Sequence, residues 1–125
     1  MRVAMPHFSK ISTDRLNTLD ARLREILVEA IRWYDFSIIC GHRDKAEQEE
    51  AFNNGKTQLN WPDSRHNVFP SLAVDIAPYP LDWKDTDEFC FLQGVIFAIA
   101  QKKGTKIRQG FRWSFGDYPH VELES

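Results

Sequence analysis

The run Leu72-Ala73-Val74-Asp75-Ile76-Ala77 alternates large apolar residues with small ones, and an aspartate stands near its middle. Every second residue of a β-strand faces the same side of the sheet, so the large residues of this run are predicted to face a core. Asp75 then lies on the opposite side between two alanines, which leave space for another group. Because a bare carboxylate is costly to bury, we expect Asp75 either to bind a metal ion or to pair with an arginine such as Arg43.

Helices and further strands are predicted on both sides of this strand. They are an amphipathic helix over about 13–33, a buried strand over 36–40, a helix over about 45–54, a third helix opened by Asp85 and ended by Gly104, a short strand over 106–108 and a last strand over 120–123. Short strands separated by turns favour antiparallel or mixed pairing over a doubly wound parallel sheet. The predicted fold class is therefore α+β, with a small mixed or antiparallel sheet and about three helices.

The length of 125 residues predicts one domain over 1–125, with residues 1–11 as a loose lead-in. Hydrophobic residues make up 42% of the chain, which is enough for a core. The net charge is −2, so a basic surface for nucleic acid is not expected. We predict a monomer that binds no nucleic acid.

Neither a signal peptide nor an apolar run of membrane-spanning length is predicted. The protein is therefore expected to be made in the cytoplasm, and any later export needs another agent. The two cysteines, Cys40 and Cys90, are predicted to be free, buried thiols, although a single disulfide between them remains an alternative.

Two histidines join Asp75 as candidate metal ligands. His66 follows Ser64-Arg65 in a polar loop, and His120 begins the last predicted strand. Taken alone, His66 is explained as a surface residue and His120 as a core histidine. Together, two imidazoles and one carboxylate suit Zn²⁺, and three protein ligands leave its fourth position open.

Asp117 stands three residues before His120 and is a candidate general base. It is also explained as a turn residue in Gly116-Asp117-Tyr118-Pro119. Glu122 shares the predicted strand face of His120 and is a second candidate base, for which we expect a supporting role behind the ligands. Arg43 is expected either to anchor the helix that follows it or to bind a substrate carboxylate or oxyanion.

These residues occur in a series of short motifs that resembles the zinc M15 peptidases. That family includes D-alanyl-D-alanine carboxypeptidases, related dipeptidases, and phage endolysins that cut between L-alanine and D-glutamate. The resemblance runs from about Phe36 to Leu123. It rests on Gly41-His42-Arg43, Gln48, Gly55-Lys56-Thr57, Ser64-x-His66, Leu72-Ala73-Val74-Asp75 and Asp117-Tyr118-Pro119-His120-Val121-Glu122-Leu123.

The resemblance implies an α+β fold shared with the hedgehog signalling domain. It also implies zinc ligands, a general base and acid, and groups that contact the substrate. The implied ligands are His66, Asp75 and His120; the implied base is Asp117; Arg43 and Ser64 are the implied substrate contacts, and Arg43 also helps to stabilise the intermediate.

One departure from the family pattern concerns the segment between the first two implied ligands. Eight residues separate His66 from Asp75, two more than the family commonly has. We expect the longer loop to reshape one wall of the substrate groove without moving the ligands.

The predicted function is a zinc peptidase that cuts the peptide stem of bacterial peptidoglycan, with a phage L-alanyl-D-glutamate endopeptidase as the leading type. A D-alanyl-D-alanine carboxypeptidase is the first alternative. A hedgehog-like binding module without catalysis is an alternative from another class, against which Asp117 argues. A metal nuclease built on His66-Asn67 is disfavoured by the acidic charge balance.

Overall fold

The computed structural model describes residues 6–124, so the first five residues of the predicted lead-in lie outside the described part of the chain. Helices and strands interleave along the described residues. Their bounds are α1 (Lys10–Leu16), α2 (Ala21–Ala30), β1 (Phe36–Cys40), α3 (Lys45–Asn53), β2 (Ala73–Pro78), α4 (Thr86–Lys103), β3 (Ile107–Gln109) and β4 (His120–Leu123). Two short 3₁₀ helices, Arg65–Asn67 and Gly110–Arg112, precede β2 and follow β3.

The four strands form one sheet in the order β1-β2-β4-β3, and every strand pair in it is antiparallel. The predicted α+β class with a small antiparallel sheet is therefore confirmed. Strand β2 lies inside the sheet, with β1 on one side and β4 on the other. The alternating run quoted first thus forms one of the two strands with neighbours on both edges.

One face of the sheet belongs to the hydrophobic core, which α2 and α4 complete. Alternate residues of β2 and β4 point into it and are fully buried: Val74, Ile76, Val121 and Leu123. The leucines and isoleucines of α2 and α4 pack against them. The predicted two-faced pattern of both strands is confirmed, and the opposite face carries the polar residues Asp75, His120 and Glu122.

The single helix predicted over 13–33 is wrong, because two helices occupy this region. Helix α1 begins earlier, after the cap residue Ser9, and α2 has a cap of its own in Asp20. Between the helices, the backbone of 18–20 pairs with Ser71: the Ser71 amide donates to Thr18 O and the Asp20 amide donates to Ser71 O. The periodic leucines continue across this break, which is why their spacing alone indicated one helix.

The predicted ends of the other elements are close to the observed ones. Asp85 caps α4, and Gly104 ends it with a positive φ of 71°, a conformation that glycine adopts without steric cost. Strand β3 lies one residue later than predicted. Among the described residues, the structure has no helix that is long and apolar enough to cross a membrane.

Candidate metal and catalytic site

Three neighbouring strands place three polar side chains in a row across the sheet. Asp75 on β2 is paired with His120 on β4 and, beyond a bulge in β1, with Cys40. Residues paired directly across antiparallel strands project from the same face. Asp75 therefore lies between an imidazole and a thiol.

His66 reaches this row from the 3₁₀ helix Arg65–Asn67. Ser64 caps that helix, because its Oγ accepts a hydrogen bond from the His66 amide at 3.2 Å. The His66 ring is 3% exposed, and its Nδ1 lies 2.8 Å from Gly41 O. A carbonyl can only accept, so Nδ1 carries the proton and Nε2 of the neutral ring has a free lone pair.

The two rings present opposite nitrogens to the same carboxylate. His66 Nε2 lies 3.4 Å from Asp75 Oδ1, and His120 Nδ1 lies 3.2 Å from the same oxygen. His120 Nε2 lies 2.8 Å from Glu122 Oε1, which orients the ring. Glu122 is also held by Arg65 at 3.4 Å and Arg108 at 3.2 Å. Glu122 thus supports His120 from behind, as expected for it.

The charges of these groups are strongly coupled. Burial acts to lower the pKa of His66, but the Asp75 carboxylate outweighs burial and raises that pKa to about 10. Burial also acts to lower the pKa of His120, but its hydrogen bonds with Asp75 and Glu122 outweigh burial and raise that pKa to about 9. Burial would raise the pKa of Asp75, yet the charge of His66 and the hydrogen bond from His120 hold it well below its usual range. Without a metal ion, the carboxylate is balanced by protonated histidines.

The donor set suits a divalent metal ion. His66 Nε2 is buried and has no hydrogen-bond partner, since its contact with Asp75 lacks hydrogen-bonding geometry. With neutral rings, one nitrogen lone pair of each imidazole faces the same carboxylate oxygen, and a cation between these atoms would satisfy them. Nitrogen and oxygen donors of these types are ligands that zinc accepts.

Cys40 belongs to the same cluster and was not predicted to lie in the site. One donor atom from each of Cys40, His66 and Asp75 lies within 4.8 Å of the other two, and these residues can hold a metal ion. Both cysteines are free, as predicted, but Cys40 is half-buried and Cys90 is exposed, so the prediction of buried thiols is wrong. One signal for this role was present in the sequence: Cys40 ends the predicted strand over 36–40, directly before the segment that carries Arg43.

Arg43 is fixed at the edge of the cluster by a buried amide. Its NH1 donates to Gln48 Oε1 at 2.9 Å, and Gln48 is fully buried on α3. Its NH2 lies 3.9 Å from Asp75 Oδ2 and donates to Cys40 Sγ at 3.6 Å. The guanidinium therefore stands beside the donor cluster in a defined orientation.

Asp117 lies in the turn between β3 and β4, where its backbone contacts Gly110. Its amide donates to Gly110 O at 2.9 Å, and its own carbonyl accepts from the His120 amide at 3.3 Å. Burial raises the pKa of this carboxyl and the charge of Asp75 adds to the increase, whereas His120, His66 and Arg43 oppose it. The Asp117 carboxyl is thus influenced by the charges of Asp75, the two histidines and Arg43.

The two remaining predictions concern Ser64 and the long loop after His66. Ser64 is buried and caps the His66 turn, and its contact with substrate stays a prediction. In the loop, Phe69 is 67% exposed, and its ring meets the edge of the His42 ring at 5.2 Å between centroids. The loop therefore presents an aromatic side chain to solvent next to the segment that carries Arg43.

Comparison with solved structures connects this fold with a peptidase. The structure superposes on the crystal structure of the Serratia marcescens L-Ala D-Glu endopeptidase ChiX with a TM-score of 0.80 and 25% sequence identity, covering 94% of this chain and 90% of that one.

Sequence comparison gives the family. The model of the phage L-alanyl-D-glutamate peptidase family matches residues 5–124. The L-alanyl-D-glutamate peptidase of Escherichia phage T5 is 31% identical over 123 residues, which cover 94% of this chain and 88% of that protein. The chain belongs to the phage L-alanyl-D-glutamate peptidase family, and the predicted family resemblance is confirmed.

Proposed function

We propose that this protein is a zinc-dependent L-alanyl-D-glutamate endopeptidase that cuts the peptide stem of bacterial peptidoglycan. The observation that carries the proposal is the convergence of two imidazoles on the Asp75 carboxylate in a member of this family. Both similar proteins are named for the same bond, which favours the endopeptidase over a D-alanyl-D-alanine carboxypeptidase. We further propose that the protein acts as a monomer, reaching the wall after synthesis in the host cytoplasm.

His66 Nε2, an Asp75 oxygen and His120 Nδ1 are the proposed zinc ligands. Zinc, when bound, supplies a Lewis acid that polarises the scissile carbonyl and makes a water molecule more acidic. Gly41 O and Glu122 hold the protons of the two rings on the nitrogens that face away from Asp75. Such outer contacts fix the tautomer and the orientation of ligand histidines.

Asp117 is the proposed general base and acid. Its carboxylate accepts a proton from the attacking water and then passes it to the amine of the departing D-glutamate residue. The hydrogen bonds of the turn to Gly110 and His120 fix the backbone that carries this carboxylate. A base held beside the ligand strand needs no large movement to reach the water.

Arg43 is the proposed donor to the oxygen on which negative charge develops. A guanidinium offers several N–H donors in a rigid plane, and its contact with Gln48 leaves other donors available. A donor oriented before the reaction stabilises the developing charge without reorganising. Ser64 is proposed to border the bound substrate near His66.

Digestion of purified peptidoglycan, read by mass spectrometry, tests the proposal. The expected products carry a new carboxyl terminus at L-alanine and a new amino terminus at D-glutamate. Cleavage should stop with a chelator and return with Zn²⁺. Release of single D-alanine residues would instead identify the carboxypeptidase, and cleavage that survives complete metal removal would refute the zinc mechanism.

A further inference from the structure

A glutamine is buried in the apolar face of α4. Gln93 is fully buried, and the core residues Leu92 and Ile96 lie beside it on the same helix. A side-chain amide is costly to bury unless its oxygen and its nitrogen are both hydrogen-bonded. An apolar residue would fill this position at lower cost, so the amide of Gln93 is expected to have a task.

Both ends of the Gln93 amide have partners. Gln109 Nε2, at the end of β3, donates to Gln93 Oε1 at 2.8 Å and to the main-chain oxygen of Gln93 at 2.7 Å. Gln93 Nε2 in turn donates to Tyr118 O at 2.9 Å. Because an amide oxygen can only accept, the hydrogen bond from Gln109 leaves the nitrogen of Gln93 facing Tyr118. The neighbours of Gln93 therefore fix the orientation of its amide.

The acceptor Tyr118 O lies between the proposed base and a proposed metal ligand. Asp117 O accepts from the His120 amide at 3.3 Å, and Pro119 O accepts from an amide of β2 at 2.9 Å. The carbonyl between these two, that of Tyr118, is held by Gln93 from α4. Pro119 has no N–H, so this stretch of backbone has one donor fewer with which to fix itself. The buried amide thus connects the helix layer to the turn that carries Asp117.

We propose that Gln93 is a positioning residue of the peptidase, which holds the Asp117 carboxylate at its working distance from the ligand His120. The inference rests on the proposed role of Asp117 as the general base. A displacement of about 1 Å at a reacting group lowers a rate by about 100-fold. Gln93 acts through Asp117 and takes no part in the proton transfer itself.

The substitution Gln93→Met tests this proposal, because methionine has a similar length and cannot donate to Tyr118 O. Gln109 keeps its hydrogen bond to the main-chain oxygen of residue 93, so we expect the variant to fold. We expect kcat on a peptidoglycan peptide to fall by about 10–100-fold, with KM and zinc content within about 2-fold of the wild type. Gln101→Met, at an exposed glutamine of the same helix, is the matched control and should keep the wild-type kcat.

Two further measurements separate positioning from a general structural effect. In the Asp117→Asn background, Gln93→Met should lower kcat by less than about 2-fold more, since residues that act through one group are not additive. In the zinc-loaded protein, the amides of Asp117 and His120 should exchange with solvent about 5-fold faster in Gln93→Met, which corresponds to the loss of one ordinary hydrogen bond. The Ile31 amide, at the end of α2, should keep its exchange rate.

A wild-type kcat in Gln93→Met would overturn the proposal. An equal loss in the Asp117→Asn background would also overturn it, because Gln93 would then act on another group. If the wild type cleaves no peptidoglycan, the proposed function fails, and the exchange rates then decide whether Gln93 fixes the turn. If Gln93→Met does not fold, Gln109→Met, which removes the donor that orients the Gln93 amide, is judged by the same criteria.

Discussion

The proposed mechanism requires Asp117 to accept a proton from the attacking water and to pass it on. Replacing it by asparagine keeps the shape of the side chain and removes its capacity to accept a proton. We expect Asp117→Asn to lower kcat by about 10²–10⁴-fold, the usual contribution of a general base, with zinc content unchanged. Initial rates on a peptidoglycan peptide and metal analysis of the same samples provide the measurement.

Asp14 offers a matched control for this substitution, since it is an exposed aspartate on α1 that pairs with Lys10. Asp14→Asn should keep the wild-type rate. Full activity in Asp117→Asn would remove Asp117 from the mechanism and leave Glu122 to be tested next.

For Glu122 we expect an effect on zinc binding, because this residue contacts the proposed ligand His120 without being a ligand itself. In Glu122→Gln the amide cannot match the charge of the carboxylate that orients His120 and pairs with Arg65 and Arg108. We expect zinc affinity to fall by about 10–100-fold, measured by competition with a chromogenic chelator. The exposed Glu124, changed to glutamine, is the control, and equal affinities in both variants would contradict the orienting role.

At this scale, residue types and spacing predicted much of the cluster, since His66, Asp75, His120 and Arg43 lie together and Asp117 lies in the turn before His120. Which nitrogen each ring presents was not predictable, because it depends on partners that only the folded chain provides. Gly41 O selects the proton position of His66, and it lies 25 residues away along the chain.

Among the elements, strands with two distinct faces were predicted better than the first helix. The alternation along β2 and β4 determines which side is buried, and pairing with neighbours then follows. The break between α1 and α2 depends instead on Ser71, which pairs with the backbone of 18–20 from more than 50 positions along the chain. Tertiary pairing of this kind leaves no periodic trace in the helix sequence.

The 3₁₀ helix Gly110–Arg112 supports the turn that carries Asp117, which leads to a prediction about glycine. A Cβ at Gly110 would lie 2.3 Å from Asp117 O and 3.1 Å from His120 Cβ, so the turn must move. We expect Gly110→Ala to lower the free energy of unfolding by about 1–3 kcal/mol and to reduce activity sharply. Urea unfolding and peptide hydrolysis measure the two effects.

Gly94 makes this test a comparison of two identical substitutions. A Cβ at Gly94, exposed on α4, meets no atom within 4 Å. Gly94→Ala should raise the free energy of unfolding by about 0.5–1 kcal/mol with activity unchanged, because alanine favours the helix. Equal losses in both variants would show that the Gly110 contact does not matter.

For the molecule as a whole, the site is assembled from parts distant in sequence, so metal binding and folding are coupled. The ligand atoms come together only when β1, β2, β4 and the Arg65–Asn67 turn are in place. Zinc at 100 times its dissociation constant should stabilise the fold by about 2.7 kcal/mol. Thermal unfolding with and without chelator measures this difference, and identical Tm values would argue against a site of useful affinity.

The pH dependence of stability should differ between the metal-free and zinc-bound proteins. The folded-state pKa values of His66 and His120 are raised to about 10 and about 9, above their unfolded values. Their contribution is therefore complete below about pH 6.5 and is lost as the pH rises toward 9 and 10. Zinc displaces these protons, so its stabilising effect grows over the same interval.

Melting curves between pH 6.5 and 9 should thus show the Tm gain from zinc widening as the metal-free protein weakens. His120→Asn should reduce both trends. His42→Gln, at a histidine that packs on Phe69 outside the donor cluster, should preserve them. If the Tm gain from zinc shrinks with rising pH in the wild type, zinc binding does not displace the protons of these two rings. Zinc would then bind at Asp75 without His66 and His120 as ligands.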